Sequence, residues 1–188
     1  MASPRLDGLV PEFRAKAEIL IQNCADLGIE MRPNEGVRTP FRQARYWRQS
    51  RSWQTVHNEI VRLKNAGADY LAYCIEAVGP QFGKVGAHIT MAIPGYSFHQ
   101  WGEALDCYWI VNGAAEWSTT KKVGGKNGFQ VYANEAKKLG LTAGGLWAGS
   151  FKDWPHVQLR PGTPEGTNTL LEIDALMRER YGLVVTDP

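Results

Sequence analysis

The sequence predicts an α+β fold in which a small, mainly antiparallel sheet has helices packed around it. Three observations lead there. Between Pro11 and Val78 apolar residues recur at helical spacing and are punctuated by capping residues. From Gly83 onward glycines and prolines break the chain into short apolar runs, two of which read as strands. Two further helical patterns alternate with those runs. A length of 188 residues is enough for a real hydrophobic core and predicts one domain spanning 1–188.

The first helix is marked by Pro11 near its start and by an apolar stripe of Phe13, Ala17, Leu20, Cys24 and Leu27, with Gly28 as its stop. A short extended piece leads to "NEGVRTPFRQ", a turn entering a second helix that Thr39 caps and Pro40 opens. A third helix is expected over Val56 to Lys64 and a fourth from Asp69 to Val78, stopping at Gly79-Pro80. "EALDCYWIV", Glu103 to Val111, reads as a strand. Its alternation sets Ala104, Asp106 and Tyr108 on one side and Leu105, Cys107 and Trp109 on the other. Phe129 to Leu139 is a helix closed by Gly140. "GGLWAGSFKDW" reads as a loop, "PHVQL" as a short strand, and Thr167 to Tyr181 as a terminal helix closed by Gly182.

Composition is that of a globular chain, 44% hydrophobic and 21% charged, and a net charge of +2 does not demand a polyanionic partner. The charge is unevenly spread. Arg32 to Lys64 holds eight Lys/Arg against Glu35 and Glu59, with Phe41, Tyr46, Trp47 and Trp53 among them. Such a segment either binds nucleic acid or is a solvated helix face with its aromatics turned inward, and the second reading is favoured. Cys24, Cys74 and Cys107 are odd in number and form no CxxC pair, which excludes a cysteine zinc cage and predicts buried free thiols. Arg5, Asp7, Glu12, Arg14, Lys16 and Glu18 interrupt any apolar leader, and no run approaches transmembrane length. The expectation is a chain made in the cytoplasm without a signal peptide.

Chemistry concentrates at "GYSFHQWGEALD", Gly95 to Asp106. An aspartate on so apolar a strand needs a partner, because a lone buried carboxylate is costly. His99 lies seven residues earlier, and Gly102 supplies a turn that brings loop and strand together. Of the other histidines, His57 sits among polar residues and reads as surface, His88 reads as structural, and His156 follows "FKDWP" with Asp153 three positions before it. On spacing alone, a metal held by His99, Asp106 and His156 and a set of merely hydrogen-bonded side chains both stand. A hydrolytic zinc needs a base that is not a ligand, and Asp153 fits that need.

Ser97-Phe98-His99-Gln100-Trp101-Gly102-Glu103-Ala104-Leu105-Asp106 matches SxHxxGxAxD at every fixed position. It resembles the first zinc motif of the D-Ala-D-Ala carboxypeptidase / L-alanyl-D-glutamate endopeptidase family of peptidoglycan metallopeptidases. "DWPH" is similar to that family's second motif, and "GVRTPFRQ" to its GYRSxxxQ element, with Val37 and Thr39 as departures. The blocks occur in the family's order, and the resemblance covers roughly Leu6 to Leu159. The resemblance implies Zn²⁺ on His99, Asp106 and His156. It implies Asp153 as the acid–base that activates the zinc water and protonates the leaving amine. Arg38 would stabilise the oxyanion, Gln43 would support that arginine, and Ser97 would shape the loop or contact substrate.

An aspartate rather than glutamate at 153, after a Gly-rich loop with a tryptophan, is similar to the endolysin-like endopeptidase branch. The resemblance therefore implies an L-alanyl-D-glutamate endopeptidase, a monomer acting on peptidoglycan stem peptides at the cell wall or periplasm, with no nucleic-acid or membrane partner. Release by phage lysis would suit a chain without a leader. The alternatives are a D-alanyl-D-alanine carboxypeptidase and, in another class, a non-catalytic zinc-containing wall-binding module.

Overall fold

The computed structural model describes residues 4–79, 84 and 86–183. In chain order the elements are α1 (Pro11–Asp26), β1 (Met31–Glu35), α2 (Pro40–Arg48), α3 (Trp53–Asn65), α4 (Asp69–Glu76), β2 (Ala104–Val111), β3 (Ala114–Glu116), α5 (Gly128–Lys138), β4 (Thr142–Ala143), β5 (His156–Gln158) and α6 (Leu170–Tyr181). The fold is α+β with a five-stranded sheet, and every strand pairing is antiparallel. Among the described residues no helix is long and apolar enough to cross a membrane. The chain divides into two compact units, Met1–Val37 with Trp101–Pro161 and Arg38–Gln100 with Gly162–Pro188.

The first unit carries the whole sheet, in the order β1-β2-β5-β4 with β3 paired to β2. Pro33 is tolerated because β1 lies at the edge of that order. The register sets Glu35 of β1 opposite Asp106 of β2, and Asp106 opposite His156 of β5. Leu105, Cys107 and Trp109 are fully buried on the face of β2 that the alternation assigned to the core. They pack with Phe13, Ala17, Leu20 and Cys24 of α1 and with Phe129, Tyr132, Ala133 and Ala136 of α5. Gly128 is held to glycine by this packing, since a Cβ there would lie 2.4 Å from the Trp109 ring. Leu27, expected on the α1 stripe, is exposed. The helix stops at Asp26, and Ile29, after Gly28 at φ +79°, takes the buried place.

The second unit is helical. Thr39 caps α2 by accepting from the Arg42 N–H, with Pro40 at the first position as expected. Helix α3 starts at Trp53 rather than Val56, because the Ser52 hydroxyl accepts from the Thr55 N–H and caps it earlier. Helix α4 ends at Glu76, short of Val78, and the Pro80 of the expected stop lies outside the described residues. Helix α6 begins at Leu170 rather than Thr167, where Thr169 and Glu172 form a reciprocal capping box.

The basic segment departs from a simple solvated face. Arg38 and Arg48 are buried, with the Arg48 guanidinium donating to the Ile75 carbonyl, while Trp53 is 48% exposed. Phe41 and Trp47 turn inward as expected. Arg51 lies 4.4 Å from the Trp47 ring centroid, so part of the charge is used inside the unit as cation–π contact.

Candidate metal centre

Gly102 turns the chain at φ +71°, and its carbonyl accepts from the Val10 N–H at 3.0 Å. Just before it, Phe98–Trp101 forms one 3-10 turn closed by the Gln100 N–H on the Ser97 carbonyl. This turn carries His99, which is 2% exposed. Just after it, β2 carries Asp106 and pairs it with His156. His99, Asp106 and His156 each offer one ligand atom, and these atoms lie within 4.8 Å of one another. The His156 Nδ1 and the nearer Asp106 oxygen are 3.0 Å apart.

The acid of "DWPH" is seated by glycines. The Asp153 N–H donates to the Gly144 carbonyl, and the Asp153 carbonyl accepts from the His156 N–H, both at 3.2 Å. A Cβ on Gly144 would lie 2.3 Å from the Asp153 carbonyl oxygen, and one on Gly145 would lie 2.3 Å from the Trp154 ring. The stretch expected as plain loop therefore opens, directly after β4, with a 3-10 turn, Gly144–Leu146, against which the acid-bearing turn packs. Trp147 faces the His156 ring at a centroid distance of 5.6 Å. Burial alone would lower the His156 pKa. The hydrogen bond and charge of Asp106, the charge of Asp153 and the bond to Gln158 overcome this and raise it.

Arg38 is held differently. Its Nη1 donates to Gln43 Oε1 at 2.9 Å, its guanidinium lies 5.0 Å from the Tyr46 ring centroid, and its backbone N–H donates to the His99 carbonyl. Gln43 is fully buried and donates to the Thr90 hydroxyl and the Ala92 carbonyl. Gln100, also fully buried, donates to Gln43 Oε1 at 3.1 Å and accepts from the Ser97 N–H. Tyr181 donates to the Gln100 carbonyl at 2.6 Å. Ser97 thus contributes through its backbone N–H to the turn that carries His99.

The three expected ligands come together, and Arg38 joins Gln43 as expected. Asp153 is not among the three residues whose ligand atoms converge. His57 is exposed, as expected for a surface residue. His88, expected to be structural, is also exposed, where Ser50 reaches its ring at 3.2 Å. Sequence reasoning passed over Gln100 and Gln158. Gln158 carried a signal, because it follows His156 by two on a strand and so shares its face.

The donors fit a zinc ion on two grounds. Nitrogen, oxygen and nitrogen ligands about 2.0–2.2 Å from zinc lie roughly 3.4 Å apart in a tetrahedral arrangement, and the three ligand atoms here lie within 4.8 Å of one another. The His156 Nε2 faces Gln158 Oε1 at 3.0 Å, an atom that only accepts, so Nε2 carries the ring proton. Nδ1 and a carboxylate oxygen at 3.0 Å are then two acceptors that need a cation or a second proton.

Two buried histidines and a half-buried aspartate, beside a turn bearing a further acid, are the candidate centre of a metal-dependent hydrolase. The chain belongs to the D-alanyl-D-alanine carboxypeptidase (VanY) family, whose sequence model matches residues 7–144. This is a family of peptidoglycan peptidases. The matched span contains Arg38, Gln43, Ser97, His99 and Asp106 and ends before Asp153 and His156. Among solved structures the chain is similar to the L-Ala D-Glu endopeptidase ChiX of Serratia marcescens. Their identity is 19%, over 83% of this chain and 84% of that one, with a TM-score of 0.43. No curated protein matches the sequence.

Proposed function

We propose that the protein is a zinc-dependent endopeptidase that cuts the L-alanyl-D-glutamate bond of peptidoglycan stem peptides. The observation that carries the metal is the convergence of His99, Asp106 and His156 within 4.8 Å, at the fixed positions of the family's motifs. Zinc held there would supply Lewis-acid activation of a water nucleophile near neutral pH.

The chain's own residues supply the rest. Asp153 takes the proton of the attacking water and passes it to the leaving amine. Arg38, fixed by Gln43 and flanked by Tyr46, offers a planar fork of donors to the oxyanion that develops on the scissile carbonyl. Gln43 and Ser97 shape the substrate side through the arginine and the His99 turn. The same reading makes the 188 residues one catalytic domain that works as a monomer at the cell wall, in the manner of an endolysin.

The endopeptidase assignment rests on the short acid at 153 and the glycine-rich, Trp147-bearing loop before it, both similar to the endopeptidase branch. A D-alanyl-D-alanine carboxypeptidase is the second reading, and the description of the matching family favours it. Mass spectrometry of digested peptidoglycan separates the two. New amino-terminal glutamate on released stems supports the endopeptidase, and free D-alanine supports the carboxypeptidase. A zinc-loaded protein that releases neither is a wall-binding module.

A further inference from the structure

Gln158 has no place in the mechanism above, yet it is 5% exposed and hydrogen-bonded at both ends of its amide. Its Nε2 lies 2.7 Å from the Arg160 carbonyl oxygen, which can only accept, so the amino end of the amide must face that carbonyl. The oxygen end then faces His156 Nε2, and it too can only accept. Two fixed acceptors in sequence require a proton on Nε2, and in the neutral ring this leaves Nδ1 as the nitrogen with a lone pair, 3.0 Å from the nearer Asp106 oxygen.

The outer end of this chain is itself clamped. The Arg160 guanidinium makes two bonds to the Glu103 carboxylate, 2.7 Å from Nε and 3.1 Å from Nη2, and the Leu159 N–H donates to the Glu103 carbonyl at 2.9 Å. Glu103 stands immediately before β2 and three residues before Asp106. Its ion pair with Arg160 is partly exposed, so its contribution to stability is small. Its consequence is geometric, holding the Arg160 carbonyl where Gln158 needs it.

We infer that Gln158 is a positioning residue for the metal, selecting Nδ1 of His156 as the ligating nitrogen by holding the ring proton on Nε2. The inference rests on the proposed zinc site. A ligating histidine needs its second ring nitrogen engaged, and losing such a partner costs about 10–100-fold in metal affinity. Without an acceptor at 158 the neutral ring divides between two tautomers, and one of them buries a proton on the nitrogen that must bind.

The test uses the full chain and three measurements. Zinc affinity is read by competition with a chromophoric chelator in the parent, Gln158→Leu and Gln158→Glu proteins. Leucine keeps the bulk and removes the acceptor, so affinity is expected to fall about 10–100-fold. Glutamate keeps an acceptor toward Nε2, so affinity at least equal to the parent's is expected, even if the oxygen facing Arg160 lowers the melting temperature. In the parent loaded with cadmium-113, nitrogen NMR is expected to show coupling of the metal to His156 Nδ1 and a proton on Nε2.

The NMR result needs no variant, so it decides the matter even if Gln158→Leu does not fold. Coupling to Nε2, or parental affinity in a folded Gln158→Leu protein, overturns the inference and leaves the zinc site standing. A parent that binds no zinc overturns both.

Discussion

Asp106 and His156 owe their places to backbone pairing, whereas Arg38 owes its place to side-chain amides. On the sheet, the β2–β5 ladder sets the two candidate ligands opposite each other, and fully buried neighbours lock the strand's other face. A one-residue slip would turn every side chain to the wrong face, so the register is strongly specified. In the helical unit the arginine depends on Gln43, and Gln43 on Gln100, Thr90 and Ala92. A ladder distributes its hold over many peptide groups, while an amide network concentrates it in two side chains. Positions of the first kind tolerate loss of one side chain without moving. Those of the second kind do not.

The largest expected effect tests the sheet side. Asp153→Asn nearly preserves shape and leaves the ladder intact, but it cannot accept a proton. Peptidoglycan hydrolysis should fall by about two to four orders of magnitude, with zinc content and melting temperature unchanged. Loss of zinc would make Asp153 a ligand, and full activity would place the proton acceptor elsewhere. Elemental analysis provides the control: His156→Ala should lose the metal, and His57→Ala and His88→Ala should keep it.

Arg38→Lys probes the helical side, keeping charge but losing the fork of donors. Turnover should fall by about two to three orders of magnitude in a folded, zinc-loaded protein. Near-normal turnover would return Arg38 to the class of its basic neighbours, with no part in the reaction.

The comparison itself is sharpened by two changes away from the chemistry. Gln43→Leu leaves the buried Arg38 and Gln100 donors without their shared acceptor, a loss of about 1–3 kcal/mol for each group left unsatisfied. Gly144→Ala forces a methyl against the Asp153 carbonyl, an overpacking cost of about 1–3 kcal/mol. Denaturant melts should show both losses. Turnover should fall most per unit of lost stability in Gln43→Leu, if the network rather than the ladder is the fragile support. Equal sensitivity in both variants would erase the distinction.

The smallest effect concerns the thiols. Cys24, Cys74 and Cys107 are free and buried, and burial pushes the Cys24 and Cys74 pKa values up to about 12 and that of Cys107 higher still. A thiol-specific chromophore at pH 8 should therefore find no reactive cysteine in the native protein and three after denaturation. One fast native thiol would show that its part of the core opens.

Much of this was legible in the sequence because its signals are local. Thr39 with Pro40 announces a helix start, Gly102 and Gly28 announce turns, and alternation along Glu103 to Val111 announces which face is buried. The candidate ligand set, whose three members converge, was legible through motif spacing together with the family resemblance. The hairpin from β2 into β3 was not read, although Asn112-Gly113, both at positive φ between Val111 and Ala114, is a strong two-residue turn signal. The early start of α3 was missed for a similar reason, since Ser52 was not recognised as a cap.

Sequence by itself determined the starts of α1 and α2, the buried face of β2 and the α+β class. Each of these depends on residues a few positions apart, where backbone geometry converts spacing directly into direction. Only the tertiary structure decided which residues complete the site. It set Asp106 between Glu35 and His156 in the sheet, brought Gln100 to Gln43 across 57 positions, and buried Arg48 against the Ile75 carbonyl. Such pairings join residues far apart in the chain. No local pattern encodes them, because a buried polar group needs only some partner, and the packed fold determines which one comes within reach.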